Sequence, residues 1–324
     1  MATRDRLLQF LDSNRGTYYS GEQMAQVLGL SRAAVWKAIK SLQEEGYPIS
    51  AVSNRGYCMS EKADFLSEQG ILRYAGEAGR KLKITVYPSL DSTNRSLREL
   101  AEEGAPEGTV IFAEEQKKGR GRYGRQFFSP SDTGIYFSIL LRPEGWSAKE
   151  AWKLTTLAAC SVCRAVEKLT GRQPGIKWVN DIYLDGRKIC GILTEGVSGM
   201  ETGLLEYVVL GIGLNLYPPT DGFPEELQET AGTVFKTSRA DMKNQLAGSV
   251  LEDFVDGYQR QNFEDQIRDY RSRSLVIGRN VSVIFRTENR TAYVHGIDEE
   301  GRLLVEYENG TCAALSSGEI SVRL

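Results

Sequence analysis

The chain has a single histidine, His295, in 324 residues. That excludes histidine-rich metal centres and argues against a histidine-centred nucleophile triad. His295 lies in the C-terminal tail, far along the chain from the other chemically suggestive segments, and reads as structural. Cysteine is scarce and odd in number, five in all, which does not make a disulfide framework. Cys160 and Cys163 form a CxxC inside a helical pattern running from Ala148 to Leu169, and no second CxxC completes a zinc site. They read as small core residues. A Walker A loop, GxxxxGK followed by Ser or Thr, occurs nowhere. No stretch approaches the roughly 20 apolar residues of a membrane span. Met1-Ala2-Thr3-Arg4-Asp5 lacks the apolar run of a secretory signal, which predicts a cytoplasmic protein. Net charge is −3, so any nucleic-acid-binding part has to be a local basic surface.

What is present is globular. Hydrophobic residues make up 41% and charged residues 26%, enough for a sizeable core, and the length suits two or three domains. One loop stands out: Gly119-Arg120-Gly121-Arg122-Tyr123-Gly124-Arg125. Arginine carries a fixed fork of donors that matches phosphate, and glycine lets backbone approach a ligand closely. Such a loop suits closure over a compact anion. It also matches GxGxxG, but that fingerprint needs a strand before it and a helix after it. Here Thr109–Ala113 and Gly134–Leu141 both read as strands, which argues against dinucleotide binding.

Residues 1–63 read as a winged helix-turn-helix. Leu7, Leu8 and Leu11 make a first apolar face. Ser20 with Gln23 forms a capping box ahead of Met24, Val27 and Leu28, and Gly29 stops that helix. Ser31 caps a third helix with an apolar stripe of Val35, Ile39 and Leu42 and an outer side carrying Arg32, Lys37 and Lys40. Ile49–Val52, a turn through Arg55, and Tyr57–Met59 make a hairpin wing. Two helices about a tight turn, followed by a wing, is a DNA-reading arrangement. Ser31, Arg32, Lys37, Lys40 and Arg55 are the candidate DNA contacts. The charge excess is slight, so binding is expected to need a dimer.

Residues 64–272 mix strands and helices without a regular βα repeat, which predicts α+β rather than a doubly wound sheet. Asp91 or Ser92 caps a helix ending at Gly104, and Asp185-Gly186 turns a hairpin between Ile182–Leu184 and Lys188–Leu193. Tyr207–Asn215 reads as a buried strand whose Gly211 and Gly213 admit close approach by a ligand. Residues 273–324 carry short alternating runs and turn signals, as in a small β-barrel.

Four segments belong together: Asp91-Ser92-Thr93-Asn94; Gln116 leading into the Arg/Gly loop; Lys177-Trp178-Val179-Asn180-Asp181 running into Lys188 and Gly191; and Gly211–Asn215. In this order and spacing they resemble the biotin–protein ligase family. With the winged helix, nearly the whole chain resembles its bifunctional bacterial form, biotin ligase and biotin operon repressor. Val179 stands where the family usually has proline, and Phe127 where some members carry tryptophan.

The resemblance implies a central domain of the class II synthetase and biotin ligase type, followed by an SH3-like barrel. It implies ATP and Mg²⁺ as cofactors, biotinyl-5′-AMP as intermediate and corepressor, and a biotin carboxyl carrier protein, operator DNA and a second copy of the chain as partners. By the same resemblance, Lys188, Arg120, Arg122 and Asp181 are catalytic. Ser92, Thr93, Asn94, Gln116, Arg120, Gly121, Arg122, Lys188, Gly191, Gly211 and Gly213 hold biotin. Arg122, Arg125, Phe127, Asn180, Asn215 and Arg323 hold the nucleotide, and no protein-held metal site is expected. The Arg/Gly loop and the loop at 216–235 are expected to act as lids.

Overall fold

The computed structural model describes residues 3–284, 289–316 and 318–321. The N-terminal unit is α1 (Thr3–Ser13), α2 (Gly21–Leu28), α3 (Arg32–Glu44) and a hairpin of β1 (Ile49–Val52) with β2 (Gly56–Met59). The Ser20–Gln23 capping box is formed in full, and Gly29 ends α2 at φ 63, where a left-handed backbone favours glycine. Leu7, Leu11, Met24, Val35, Ile39 and Leu42 close the core as their spacing requires. Val27 is an exception: it is 65% exposed. The short α2 turns Met24 and Ala25 inward instead, with Leu28 partly buried against the same cluster.

The central unit runs α4 (Glu68–Tyr74), α5 (Gly76–Gly79), β3 (Lys83–Leu90), α6 (Thr93–Glu102), β4 (Thr109–Gln116), β5 (Gly134–Leu141), α7 (Trp152–Thr170), β6 (Gly175–Lys177), β7 (Asp181–Leu184), β8 (Arg187–Ser198), β9 (Leu205–Asn215), α8 (Met242–Arg260) and α9 (Phe263–Ser272). Its strands form one seven-stranded sheet in the order β3-β4-β5-β9-β8-β7-β6. Only β3 and β4 pair in parallel, so the α+β expectation holds. Alternate residues of the central strands serve two cores. Ile111, Leu140 and Val209 pack under Leu97 and Ala101 of α6. Phe112, Ile139 and Val208 belong to the larger core that also includes residues of α7, α8 and α9. Covered on both faces, β5 is buried along its whole length. Cys160 and Cys163 are buried in that larger core, as their helical context indicates. None of the described helices is long and apolar enough to cross a membrane.

The tail holds β10 (Asn280–Ile284), β11 (Asn289–Ile297), β12 (Leu303–Tyr307), β13 (Cys312–Leu315) and β14 (Glu319–Ser321), ordered β13-β12-β11-β10-β14. Consecutive strands β13 and β14 therefore lie at opposite edges of the sheet, with only residues 316–318 between them. That connection reaches at most about 14 Å, whereas a flat sheet would hold the edges about 19 Å apart. The sheet has to curl edge towards edge, in the manner of a small barrel.

Buried charge ties the N-terminal unit to the central one. Asp12 of α1 meets Arg15 Nη2 at 2.5 Å and Arg73 Nη2 at 3.1 Å, and both arginines also reach Asp241 before α8. Tyr74 and Asn244 donate to the same Asp241 carboxylate. Nearby, the buried Lys243 ammonium pairs with Glu114 of β4 at 2.8 Å.

Candidate active site

A cavity of about 370 Å³ opens on the α6 face of the central sheet, beyond the start of that helix. Its floor is formed by Gly211 with its register partner Leu193 and by Gly213 with its register partner Gly191, while Ser138 and Tyr136, paired to the same glycines from β5, are buried and do not line it. The glycines do serve close approach, but the groups they admit belong to the protein. A Cβ on Gly211 would lie 2.0 Å from Asn94 Oδ1, and one on Gly213 would lie 2.5 Å from the Phe127 ring. Phe127 thus lies against the floor beside Gly213 and Gly191.

Ser92 occupies the N-cap position of α6, yet its side chain makes no capping bond, and Asp91 pairs with Lys118 at 3.0 Å. The cap comes from across the sheet: Gln116 at the end of β4 accepts from the Thr93 backbone N–H at 2.9 Å. This leaves Ser92 and Thr93 on the cavity wall beside Gln116. Asn94 is committed elsewhere. Its Nδ2 donates to Glu195 at 2.7 Å and to the Leu193 carbonyl at 3.3 Å, and its Oδ1 accepts from Ser138 at 2.6 Å. Asn94 therefore shapes the wall with an amide whose groups are already paired.

The Arg/Gly loop closes on itself through Gly121 N–H to the Arg125 carbonyl at 2.8 Å and Phe127 N–H to the Gly119 carbonyl at 2.9 Å. Tyr123 at its tip has φ 57 and is 65% exposed. Arg122 donates to Asn180 Oδ1 at 3.2 Å, and Asn180 Nδ2 in turn donates to the Ile192 carbonyl at 2.9 Å. Asn180 thus moors the loop arginine to β8. Arg120, Gly121, Arg122 and Arg125 all line the cavity, as do Lys188 and Asp181. Lys188 Nζ lies 2.8 Å from Asp181 Oδ1, the only carboxylate in the lining among the described residues. Burial, and then the neighbouring Asp181 charge, pushes the Tyr183 phenol up to about 12, so it faces the cavity as a neutral hydroxyl.

The loop after β9 is tied to the hairpin that carries Lys188. Lys188 N–H donates to the Thr230 carbonyl and Gly232 N–H to the Lys188 carbonyl, both at 2.8 Å, while Val234 and Phe235 bond back to Asn215 and Leu216. Residues 230–235 act as a strap that seats Lys188. Asn215 belongs to the same strap: its amide donates to the Gly232 carbonyl at 3.2 Å, and it does not line the cavity. Arg323 lies outside the described residues. The C-terminal sheet still reaches the site through Gly318 and Ile320, and Trp178 Nε1 donates to the Gly301 carbonyl at 3.0 Å. Trp178 is thus both core and cavity wall, next to a cis peptide joining it to Val179. His295 pairs with Glu306 on the tail sheet and does not line the cavity.

Reading the sequence did not find Ser138, Glu195, Tyr183, Thr230 or Ile320. Ser138 and Glu195 sit in apolar-looking strands, and no local signal marks a strand residue that bonds to the start of a distant helix, as both do at Asn94. On the N-terminal unit, Ser31 caps α3 through the Ala34 N–H. Arg32, Lys37 and Lys40 are exposed along α3, Lys40 lying over the exposed Trp36 ring, and Arg55 on the wing stacks over Tyr18 at 4.2 Å.

The family model "Biotin/lipoate A/B protein ligase family" matches residues 86–215, an "HTH domain" model matches 3–58, and "Biotin protein ligase C terminal domain" matches 276–323. The chain is 35% identical over 320 residues to the "Bifunctional ligase/repressor BirA" of Bacillus spizizenii, covering 95% of both chains. It belongs to the BirA family of bifunctional ligase/repressors. The BirA protein of Escherichia coli is 30% identical, over 95% of this chain and 94% of its own. Among solved structures, a biotin protein ligase from Aquifex aeolicus in complex with biotin and ATP superposes with a TM-score of 0.62 at 27% identity, over 74% of this chain and 97% of that one. The three matches follow the order of winged helix, mixed sheet and curled tail sheet. The cavity of this BirA-family chain lies at their meeting of central and C-terminal units.

Proposed function

We propose that this cavity activates biotin with ATP to biotinyl-5′-AMP and passes the biotinyl group to a lysine of a biotin carboxyl carrier protein. The observation that carries the reading is the convergence of Arg120, Arg122 and Lys188 with the polar Ser92, Thr93 and Gln116 wall in one cavity. In the first step a biotin carboxylate oxygen attacks the α-phosphorus and the bond to pyrophosphate breaks. The carboxylate is already ionised at neutral pH, so no general base is needed; two anions have to be held together and the growing charge stabilised. The three cations supply that. In the second step the carrier amine attacks the anhydride carbonyl, AMP leaves, and Asp181 orients the amine or takes its proton. Among the described residues no group of three His, Cys, Asp or Glu is placed to hold a metal. Mg²⁺ is assigned to the triphosphate on the resemblance, beside the protein's own cations. The nucleotide is assigned to Arg122, Arg125, Phe127 and Asn180, with Asn215 and Arg323 assigned on the resemblance alone. The same reading divides the chain at 1–63, 64–272 and 273–324 and places it in the cytoplasm. Intact-mass analysis of a carrier domain incubated with the protein, ATP, Mg²⁺ and biotin is expected to show one added biotinyl group. An unmodified carrier, with biotin still bound to the protein, would make the chain a sensor instead of a ligase.

The winged helix is assigned to operator DNA, read by α3 and the wing through Ser31, Arg32, Lys37, Lys40 and Arg55. Beyond Gly191, β8 has no strand partner on its β7 side among the described residues. This open edge suits pairing with a second copy beside the cavity, which would couple biotinyl-5′-AMP to DNA binding. A gel shift on an operator fragment is expected to strengthen with biotinyl-5′-AMP, with two protomers in the retarded band. A shift insensitive to the adenylate would remove the coupling.

A further inference from the structure

A chain of hydrogen bonds runs beneath the cavity wall, and its polarity can be worked out atom by atom. Asn94 Nδ2 faces two groups that only accept, the Glu195 carboxylate at 2.7 Å and the Leu193 carbonyl at 3.3 Å. That orients the amide: its Oδ1 has to face Ser138 Oγ, 2.6 Å away. Oδ1 carries no proton, so the single Ser138 proton is spent on it. Ser138 Oγ also lies 2.8 Å from Thr93 Oγ1, and Thr93 Oγ1 lies 3.1 Å from Gln116 Oε1, so the one Thr93 proton can serve only one of these two contacts; the shorter, fully buried contact takes it, with Thr93 donating to Ser138. The Thr93 proton is then turned into the wall. Its remaining lone pairs stand 3.1 Å from Gln116 Oε1, an oxygen already oriented by the Thr93 backbone N–H. Two acceptor oxygens side by side, both on cavity residues, call for a donor from the ligand.

We propose that Glu195, which does not line the cavity, is a positioning residue that sets this polarity through Asn94 and Ser138 and so makes the site specific for a ligand presenting an N–H edge. The inference rests on the biotin reading of the cavity, where that edge is a ureido N–H. Ser138 is fully buried and Asn94 nearly so, so water does not compete for the order of protons. An analogue with oxygen in place of the facing N–H would set its oxygen against Thr93 Oγ1 and Gln116 Oε1 with no proton to share with either.

Titration calorimetry on the full chain tests this with biotin and the two carbamate analogues, each with one ureido N–H replaced by oxygen. In the wild-type protein one analogue is expected to bind about a hundredfold more weakly than biotin. In Ser138→Ala the Thr93 proton is free to turn to the analogue's oxygen, and the gap is expected to shrink about tenfold. Glu195→Ala is expected to narrow it by a smaller factor, because the Leu193 carbonyl still holds Asn94. Glu195→Gln retains an accepting oxygen and is expected to keep the gap. A gap unchanged in Ser138→Ala, with both ligands weakened alike, would overturn the proposal, as would Glu195→Gln losing the gap as far as Glu195→Ala. Wild-type protein that gives no heat with biotin would overturn the reading of the cavity itself.

Discussion

Lys188→Ala is expected to slow adenylate formation about a hundredfold while weakening biotin binding by less than about tenfold. The asymmetry follows from where the ammonium sits. Lys188 is fixed at both ends: its backbone is strapped between Thr230 and Gly232, and its Nζ lies 2.8 Å from Asp181. Its side chain is about one-third exposed, which leaves it partly desolvated in the cavity that Arg120 and Arg122 also line. The bound carboxylate bears one charge that Arg120 and Arg122 can also meet. The transition state adds charge on the phosphoryl oxygens, so losing a point charge there costs more than losing it in the ground state. A single desolvated contact of that kind is worth on the order of 3 kcal/mol. Rapid-quench measurement of pyrophosphate release, set beside biotin calorimetry, separates the two effects. Equal losses in rate and affinity would mean that Lys188 only binds biotin.

Asp12→Ala is expected to destabilise the seating of the winged helix by about 3 kcal/mol. The Asp12 side chain is 1% exposed and sits between Arg15 and Arg73, which share Asp241 on the other side. Two carboxylates balance two guanidiniums in this cluster. Removing one carboxylate leaves an uncompensated buried cation, and that penalty, more than the worth of any single pair, sets the size of the effect. Arg15 also donates to the Ala63 carbonyl at 2.7 Å, as does the Asp241 N–H at 3.1 Å, so the linker at 60–66 should loosen with the cluster. Urea unfolding should show a lower midpoint, and trypsin should cut at Lys62 faster while the central unit stays resistant. A change under about 1 kcal/mol would mean that apolar contacts such as Tyr47 against Phe65 hold the two units together.

The winged helix was legible in the sequence because its signals are local. A capping box at Ser20 and Gln23, a left-handed Gly29 and apolar spacing on α1 and α3 each act within a few residues, and the folded chain keeps them all. The hairpin at Asp185-Gly186 is of the same kind, its two residues taking φ 51 and φ 75. The Arg/Gly loop was legible from its own residue types, which suit an anion, whereas Lys188 and Asp181 were assigned only through the resemblance; the fold brings all of them to one cavity. Only the tertiary structure decided which strands are neighbours. Period-two alternation says which face a strand residue takes, not which residue of another strand lies beside it. Glu195 meets Asn94 across 101 residues, Gln116 caps α6 from 23 residues away, and Arg122 is moored by Asn180 at a separation of 58. The glycines Gly211 and Gly213 read as room for a ligand; both line the cavity, and Asn94 and Phe127 also pack closely against them. Residue types by themselves pointed to an anion at the Arg/Gly loop. The order of strands β5, β9 and β8 decided which buried groups hold those residues in place, because hydrogen-bond partners across a sheet are set by register, which carries no mark in the local sequence.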